Sequence, residues 1–82
     1  METRVAIIAI IAENSASTET INALLHDYRE HIIGRMGIPH RERQMNIISI
    51  AIDAPQDTIN SLAGKIGRID GVTTKTVYSP AR

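Results

Sequence analysis

From Val5 to Ala12 every position is apolar, with Val5, Ile7, Ala9 and Ile11 at one parity and Ala6, Ile8, Ile10 and Ala12 at the other. The run is far shorter than the roughly 20 residues that span a bilayer. It predicts a β-strand covered on both faces, and therefore a central one. The polar Glu13-Asn14-Ser15-Ala16-Ser17 then predicts a helix start, with Ser15 or Ser17 as the cap and Glu19 in the positive first turn. Ile21, Leu24, Leu25 and Tyr28 follow at i, i+3, i+4 and i+7, the stripe of an amphipathic helix. His31 to Ile38 reads as a weaker strand, with Ile32, Gly34, Met36 and Ile38 on one face and Ile33, Arg35 and Gly37 on the other. Pro39 ends that strand or confines it to a sheet edge, and His40 to Gln44 makes the turn. Met45 to Asp53 is a second isoleucine-rich strand, with Ile48, Ile50 and Ile52 on its main face and Ile47 and Ala51 behind.

Ala54-Pro55 opens a second helix, with proline at the first helical position, Asp57 in the first turn and Ile59, Leu62, Ala63 and Ile66 as the buried stripe. Gly67 is expected to be its left-handed stop and Asp70-Gly71 a turn. Val72 to Tyr78 alternates as a last, partly exposed strand, and Ser79 to Arg82 is expected to fray. The order is βαββαβ, and its halves echo each other: Thr20-Ile21-Asn22-Ala23-Leu24 against Thr58-Ile59-Asn60-Ser61-Leu62. This predicts one α+β domain over residues 1–82, ferredoxin-like, a four-stranded antiparallel sheet with two helices on one face and the first and third strands central. The other parity of those strands would then face water as an apolar patch, which soluble monomers avoid. A homo-oligomer, dimer or tetramer with two-fold symmetry, is expected to cover it.

Composition narrows the chemistry. Nine basic residues balance nine acidic ones, so no global field draws the chain to nucleic acid or anionic lipid. Fifteen isoleucines against two tyrosines leave almost no surface for stacking bases. Absence of cysteine excludes disulfides and thiolate chemistry and fits a cytoplasmic location. There is no P-loop, HExxH or nucleophile elbow, so no enzyme and no cofactor is predicted, and no membrane partner. Local charge gathers only between Arg29 and Arg43, where Arg29, Arg35, Arg41, Arg43, His31 and His40 face Glu30 and Glu42. This basic segment suits a small anionic effector or a partner's carboxylates, and equally a solvated hairpin that discourages edge aggregation. Gly34-Arg35-Met36-Gly37 looks locally like a nucleic-acid-clamping GxxG loop, but such a loop opens into a helix, whereas Pro39 follows here. The glycines are instead expected to permit a bulge or a close approach. His26, His31 and His40 offer an alternative metal site, yet His31 and His40 lie about 25–30 Å apart in an extended segment, so a site would need His26 near the helix end or a histidine from another subunit.

The segments Gly34-Arg35-Met36-Gly37-Ile38-Pro39-His40-Arg41-Glu42-Arg43, Asp53-Ala54-Pro55-Gln56-Asp57 and Gly64-Lys65-Ile66-Gly67-Arg68-Ile69-Asp70-Gly71-Val72 resemble the iron-only hydrogenase system regulators. These are ACT-like, ferredoxin-fold proteins comparable to the C-terminal domain of nickel-responsive regulators. The resemblance implies a transcriptional regulatory context without an enzymatic activity. The histidine and cysteine metal set of the nickel regulators does not carry over to a chain without cysteine. The expectation is thus a non-enzymatic oligomeric regulatory domain that binds a small effector or a regulatory protein. Its expected contacts are Glu13 and Asn14 at the mouth of the first helix, Gly34, Arg35, Met36 and Gly37, and His40, Arg41 and Arg43. Direct DNA contact through the 29–43 segment and a histidine-based metal sensor are the alternatives.

Overall fold

The computed structural model describes residues 2–80. Four strands, β1 (Arg4–Ala12), β2 (Ile32–His40), β3 (Met45–Ala54) and β4 (Val72–Tyr78), form one antiparallel sheet in the order β2-β3-β1-β4. The two isoleucine-rich runs are thus the central strands, as their double-sided apolar pattern requires. Helices α1 (Ser15–Asp27) and α2 (Gln56–Gly67) complete a ferredoxin-like βαββαβ domain. Single turns of 3₁₀ helix at Arg29–His31 and Arg41–Arg43 bracket β2.

The core lies between sheet and helices. Ile8, Ile10, Ile50 and Ile52 from the central strands meet Ile21 and Leu25 of α1 and Ile59, Leu62 and Ile66 of α2, all essentially inaccessible. The alternate positions of the same strands carry the opposite outcome: Val5, Ile7 and Ile11 of β1, Ile47 of β3 and Val77 of β4 are exposed. A period of two sorts one continuous apolar run into a core half and a solvent half.

Local expectations are corrected at four places. Asn14, not Ser15 or Ser17, caps α1, its Oδ1 accepting from the Ser17 backbone N–H at 2.8 Å. Because α1 starts at Ser15, Glu19 falls beyond the first turn, which holds no acidic residue. Pro55 is the residue before the first helical position of α2, not that position itself, and Ala54 belongs to β3. Gly67 is not left-handed; that conformation belongs to Gly71, with φ of +78°, and to Gln44, with φ of 54°. Gly67 instead brings α2 close to β4, since a Cβ there would stand 3.1 Å from the Thr74 methyl. Finally, β2 is displaced by a bulge. Ile32 pairs with Ile52 and Gly34 with Ala51, so Ile33 is the extra residue. It turns Ile32 to the helix side and leaves Met36 and Ile38 on the open side, separating residues that simple alternation placed together. Pro39 lies within β2, as the edge position of that strand allows.

At the far end of α1, the Lys65 ammonium donates to the Tyr28 hydroxyl oxygen at 2.9 Å and sits 5.2 Å from the ring centroid, with Ser61 also in hydrogen-bond range. The Lys65 hydrogen bond, reinforced by Ser61, holds the Tyr28 phenol below its ordinary range near 10. The folded state therefore favours the phenolate, and the associated stability is fully present above the unfolded-state value and is lost as pH falls through the folded one. Ultraviolet titration, with the Tyr28 transition identified by its loss in Tyr28→Phe, should place it below the ordinary phenol value, and Lys65→Gln should return it toward that value. A Tyr28 transition at the ordinary value, unmoved by the substitution, would contradict the contact.

Candidate functional site

The β1–α1 loop is held by residues more than 50 positions away. The Glu13 N–H donates to the Gly71 carbonyl at 2.9 Å, and the buried Ser17 hydroxyl lies 2.6 Å from the Asp70 carbonyl and 2.8 Å from Asn14 Oδ1. The hydroxyl has one proton, so it divides its donation between those two acceptors. These bonds stake the start of α1 against the α2–β4 turn.

Across from this loop stands the β2–β3 hairpin, closed by the 3₁₀ turn Arg41–Arg43 and by Gln44 in the left-handed region. Gln44 N–H donates to the Arg41 carbonyl at 3.2 Å, and Asn46 Nδ2 donates to Thr18 Oγ1 of α1 at 2.9 Å. The hairpin is thereby tied to the first helix. Between loop and hairpin opens a cleft of about 430 Å³, with Glu13, Asn14 and Ser15 on one wall and His40, Arg41 and Gln44 on the other. Its electrostatics come from three sources. Arg41 and His40 supply donors, and the first N–H groups of α1 carry a partial positive charge with no acidic side chain in the first turn to offset it. Glu13 supplies the opposing carboxylate.

Of the nine residues expected to form an effector site, the structure brings Glu13, Asn14, His40 and Arg41 to this cleft. The other five are placed elsewhere. Arg35 lies on the helix side of β2, where it donates to Asn22 Oδ1 of α1 at 3.0 Å and lines a smaller groove of about 330 Å³ with His26 and Arg29. Met36 and Gly34 lie on the open sheet face, in register with Ser49 and Ala51. Gly37 pairs with Ile48 on the helix side, and Arg43 is exposed on its 3₁₀ turn. Neither Gly34 nor Gly37 is a close approach within the chain, because a Cβ at either would meet nothing within 4 Å; the bulge beside Gly34 is the part of that expectation the structure contains. Asn14 is in part a structural residue, its oxygen already committed to the cap.

The basic segment 29–43 is therefore not one patch, since the length of β2 separates Arg29 from Arg41 and Arg43. The same strand separates His31 from His40, while His26 lies on α1, and among the described residues no three metal-ligating side chains cluster. Also among the described residues, no helix is long and apolar enough to cross a membrane. Sequence reasoning missed Ser15, Pro39, Gln44, Met45 and Asn46 as cleft residues. Only the turn signal at His40–Gln44 pointed there, and a left-handed glutamine has no reliable local signature.

Comparison with known proteins returns the same fold. Residues 4–76 match the TM1266-like family, described as "Iron-only hydrogenase system regulator, putative". The solved structure of the uncharacterized protein TM1266 from Thermotoga maritima is 41% identical, covers 94% of this chain and 98% of its own, and superposes with a TM-score of 0.91. A formyltetrahydrofolate deformylase from Pseudomonas putida KT2440 is 12% identical with a TM-score of 0.67 over 93% of this chain and 29% of its own. SnoaB, a cofactor-independent oxygenase from Streptomyces nogalater, is also 12% identical, with a TM-score of 0.57 over 100% and 95% of the two chains. At such identity the last two share the fold alone. No curated protein sequence matches significantly.

Proposed function

Because the chain belongs to the TM1266-like family of iron-only hydrogenase system regulators, we propose that it is a non-enzymatic regulatory domain that senses a small anionic effector at the cleft between the β1–α1 loop and the β2–β3 hairpin. The observation that carries this reading is the convergence of Arg41 and His40 with the start of α1, whose first turn holds no acidic residue, around one cleft. Backbone N–H groups at a helix start and a guanidinium fork both suit a carboxylate or phosphate oxygen. Glu13 on the opposite wall disfavours a polyanion and so selects a ligand of low net charge. Ligand binding here has a route to the rest of the fold, since the loop is bonded to the α2–β4 turn and the hairpin to α1.

The test is native mass spectrometry of protein purified without a metal-affinity tag, followed by NMR titration with acetate and inorganic phosphate. A retained small anion, or shifts centred on Ser15, His40, Arg41 and Gln44, is the expected result. Arg41→Ala should weaken binding by about 10- to 100-fold, the scale of a charge-assisted hydrogen bond. Arg35→Ala, whose guanidinium is engaged with α1 away from the cleft, should change it little. Equal losses from the two variants, or none from Arg41→Ala, would remove the cleft from consideration.

A further inference from the structure

The bulge at Ile33 assembles a second recess, on the helix side of the sheet and away from the cleft. In an uninterrupted strand Ile32 and Arg35 would face opposite sides, because their spacing is odd. With Ile33 as the extra residue, Ile32 pairs with Ile52 and Arg35 with Ile50, so both side chains turn toward α1. There they meet Asn22, Leu25 and His26, which share one face of α1 at i, i+3 and i+4, and Arg29 from the 3₁₀ turn that joins helix to strand. The result is a groove of about 330 Å³ lined by these six residues. We propose that it is a second binding site, independent of the cleft, for a small phosphate monoester that carries an apolar group.

Three features select that ligand. The first is charge. Two arginines and a histidine line the groove and no acidic residue does, in a chain whose basic and acidic residues balance. Glu13 restricts the cleft to ligands of low charge, whereas no carboxylate in this groove opposes a dianion. The second is that the cations are already oriented. Arg35 donates through one terminal nitrogen to Asn22 Oδ1 at 3.0 Å, and Arg29 through one to the His26 carbonyl at 2.8 Å. Both acceptors are neutral, so neither bond cancels the guanidinium charge, and each leaves the fork further N–H groups for phosphate oxygens. The Arg29 bond also satisfies a carbonyl at the negative end of α1, which would otherwise repel an anion. The His26 imidazole carries an N–H in either protonation state and completes the donor set. The third is the apolar part of the lining. Leu25 belongs to the core and Ile32 packs against it, which gives the carbon portion of an ester a surface to cover. The volume stands at the small end of ligand pockets and suits a compact molecule. Strand bulges recur where a side chain is re-aimed beside a site, and this bulge brings the Arg35 cation and the apolar Ile32 to the same groove.

The test is an NMR titration of the whole chain with phenyl phosphate at about pH 7.5, where a phosphate monoester is a dianion. Amide shifts at Asn22, His26, Arg29 and Arg35 are expected, with NOEs from the phenyl protons to the Leu25 and Ile32 methyls of the unaltered protein. Arg29→Gln and Arg35→Gln, both at exposed positions, should each weaken this binding about 10- to 100-fold with the remaining spectrum retained. Arg41→Ala should leave it unchanged, which separates the groove from the cleft. Benzoate, a monoanion with the same ring, should bind here at least about 10-fold more weakly than phenyl phosphate. Silence of the groove residues at about 10 mM phenyl phosphate, shifts unmoved by both arginine variants, or equal binding of benzoate would overturn the proposal. So would tighter binding of short duplex DNA at the same residues with a steep loss in salt, which would assign the groove to nucleic acid.

Discussion

Ile8→Ala should cost about 2–5 kcal/mol of folding stability, the range for deleting a buried aliphatic side chain and leaving a cavity. Ile8 is completely inaccessible, sits on central strand β1 in register with Ile50 and Thr76, and belongs to the core cluster under both helices. A domain of this length has a total stability on the order of 4–12 kcal/mol. The variant is therefore expected to populate the unfolded state or to lose its native transition outright. Its neighbour provides the contrast. Ile7, also an isoleucine in the same strand, is 47% exposed on the opposite face, so Ile7→Ala should change the stability of an isolated chain by about 0.5 kcal/mol or less. Urea melts of the two variants at low micromolar concentration measure the difference. Repeating the Ile7→Ala melt at higher concentration adds any contribution from a second copy, because association stabilises by mass action. Comparable losses for both variants at low concentration would mean that the faces of β1 are wrongly assigned.

Gly71→Val is expected to destabilise by about 2–4 kcal/mol, combining strain at a left-handed β-branched residue with damage to a helix cap. Gly71 has φ of +78°, and a Cβ on it would stand 2.8 Å from Asn14 Nδ2. Asn14 cannot retreat freely, since its Oδ1 holds the Ser17 N–H, and the Gly71 carbonyl itself accepts from Glu13. The two parts separate in a double-mutant cycle. In an Asn14→Gly background, which keeps a tolerable cap residue, Gly71→Ala should cost only the backbone contribution of about 1–2 kcal/mol. In the native background it should cost measurably more. Additive costs would show that the loop and the turn do not constrain each other. Since this contact also stakes one wall of the cleft, Gly71→Ala should weaken phosphate or acetate binding without touching Arg41.

The extent to which the molecule is readable from its chain differs by length scale. The four strands, two helices, sheet order and core isoleucines follow from periods of 2 and 3.6. Those periods survive because burial of β-branched side chains outweighs any local preference against them. The exposed half of β1 was readable for the same reason, as both parities of Val5 to Ala12 are apolar and only one can meet the helices.

The misjudged details are of another kind. Asn14, Ser15 and Ser17 are all competent caps by composition; Asn14 takes the role in an arrangement where Ser17 is buried against the Asp70 carbonyl. Gly67 and Gly71 are both plausible left-handed residues, and the choice falls to Gly71, whose carbonyl receives Glu13 across the fold. The bulge at Ile33 reverses which side of the sheet Ile32 faces, and nothing in a local alternation announces it. The cleft itself joins residues 13–15 to residues 39–46, while Arg35, only five positions before His40, is turned away onto α1. Periodic burial is a property of neighbouring residues, so the chain carries it openly. Caps, handedness, bulges and the membership of a site depend on hydrogen bonds and packing between distant segments, and these exist only once the sheet has closed in its order β2-β3-β1-β4.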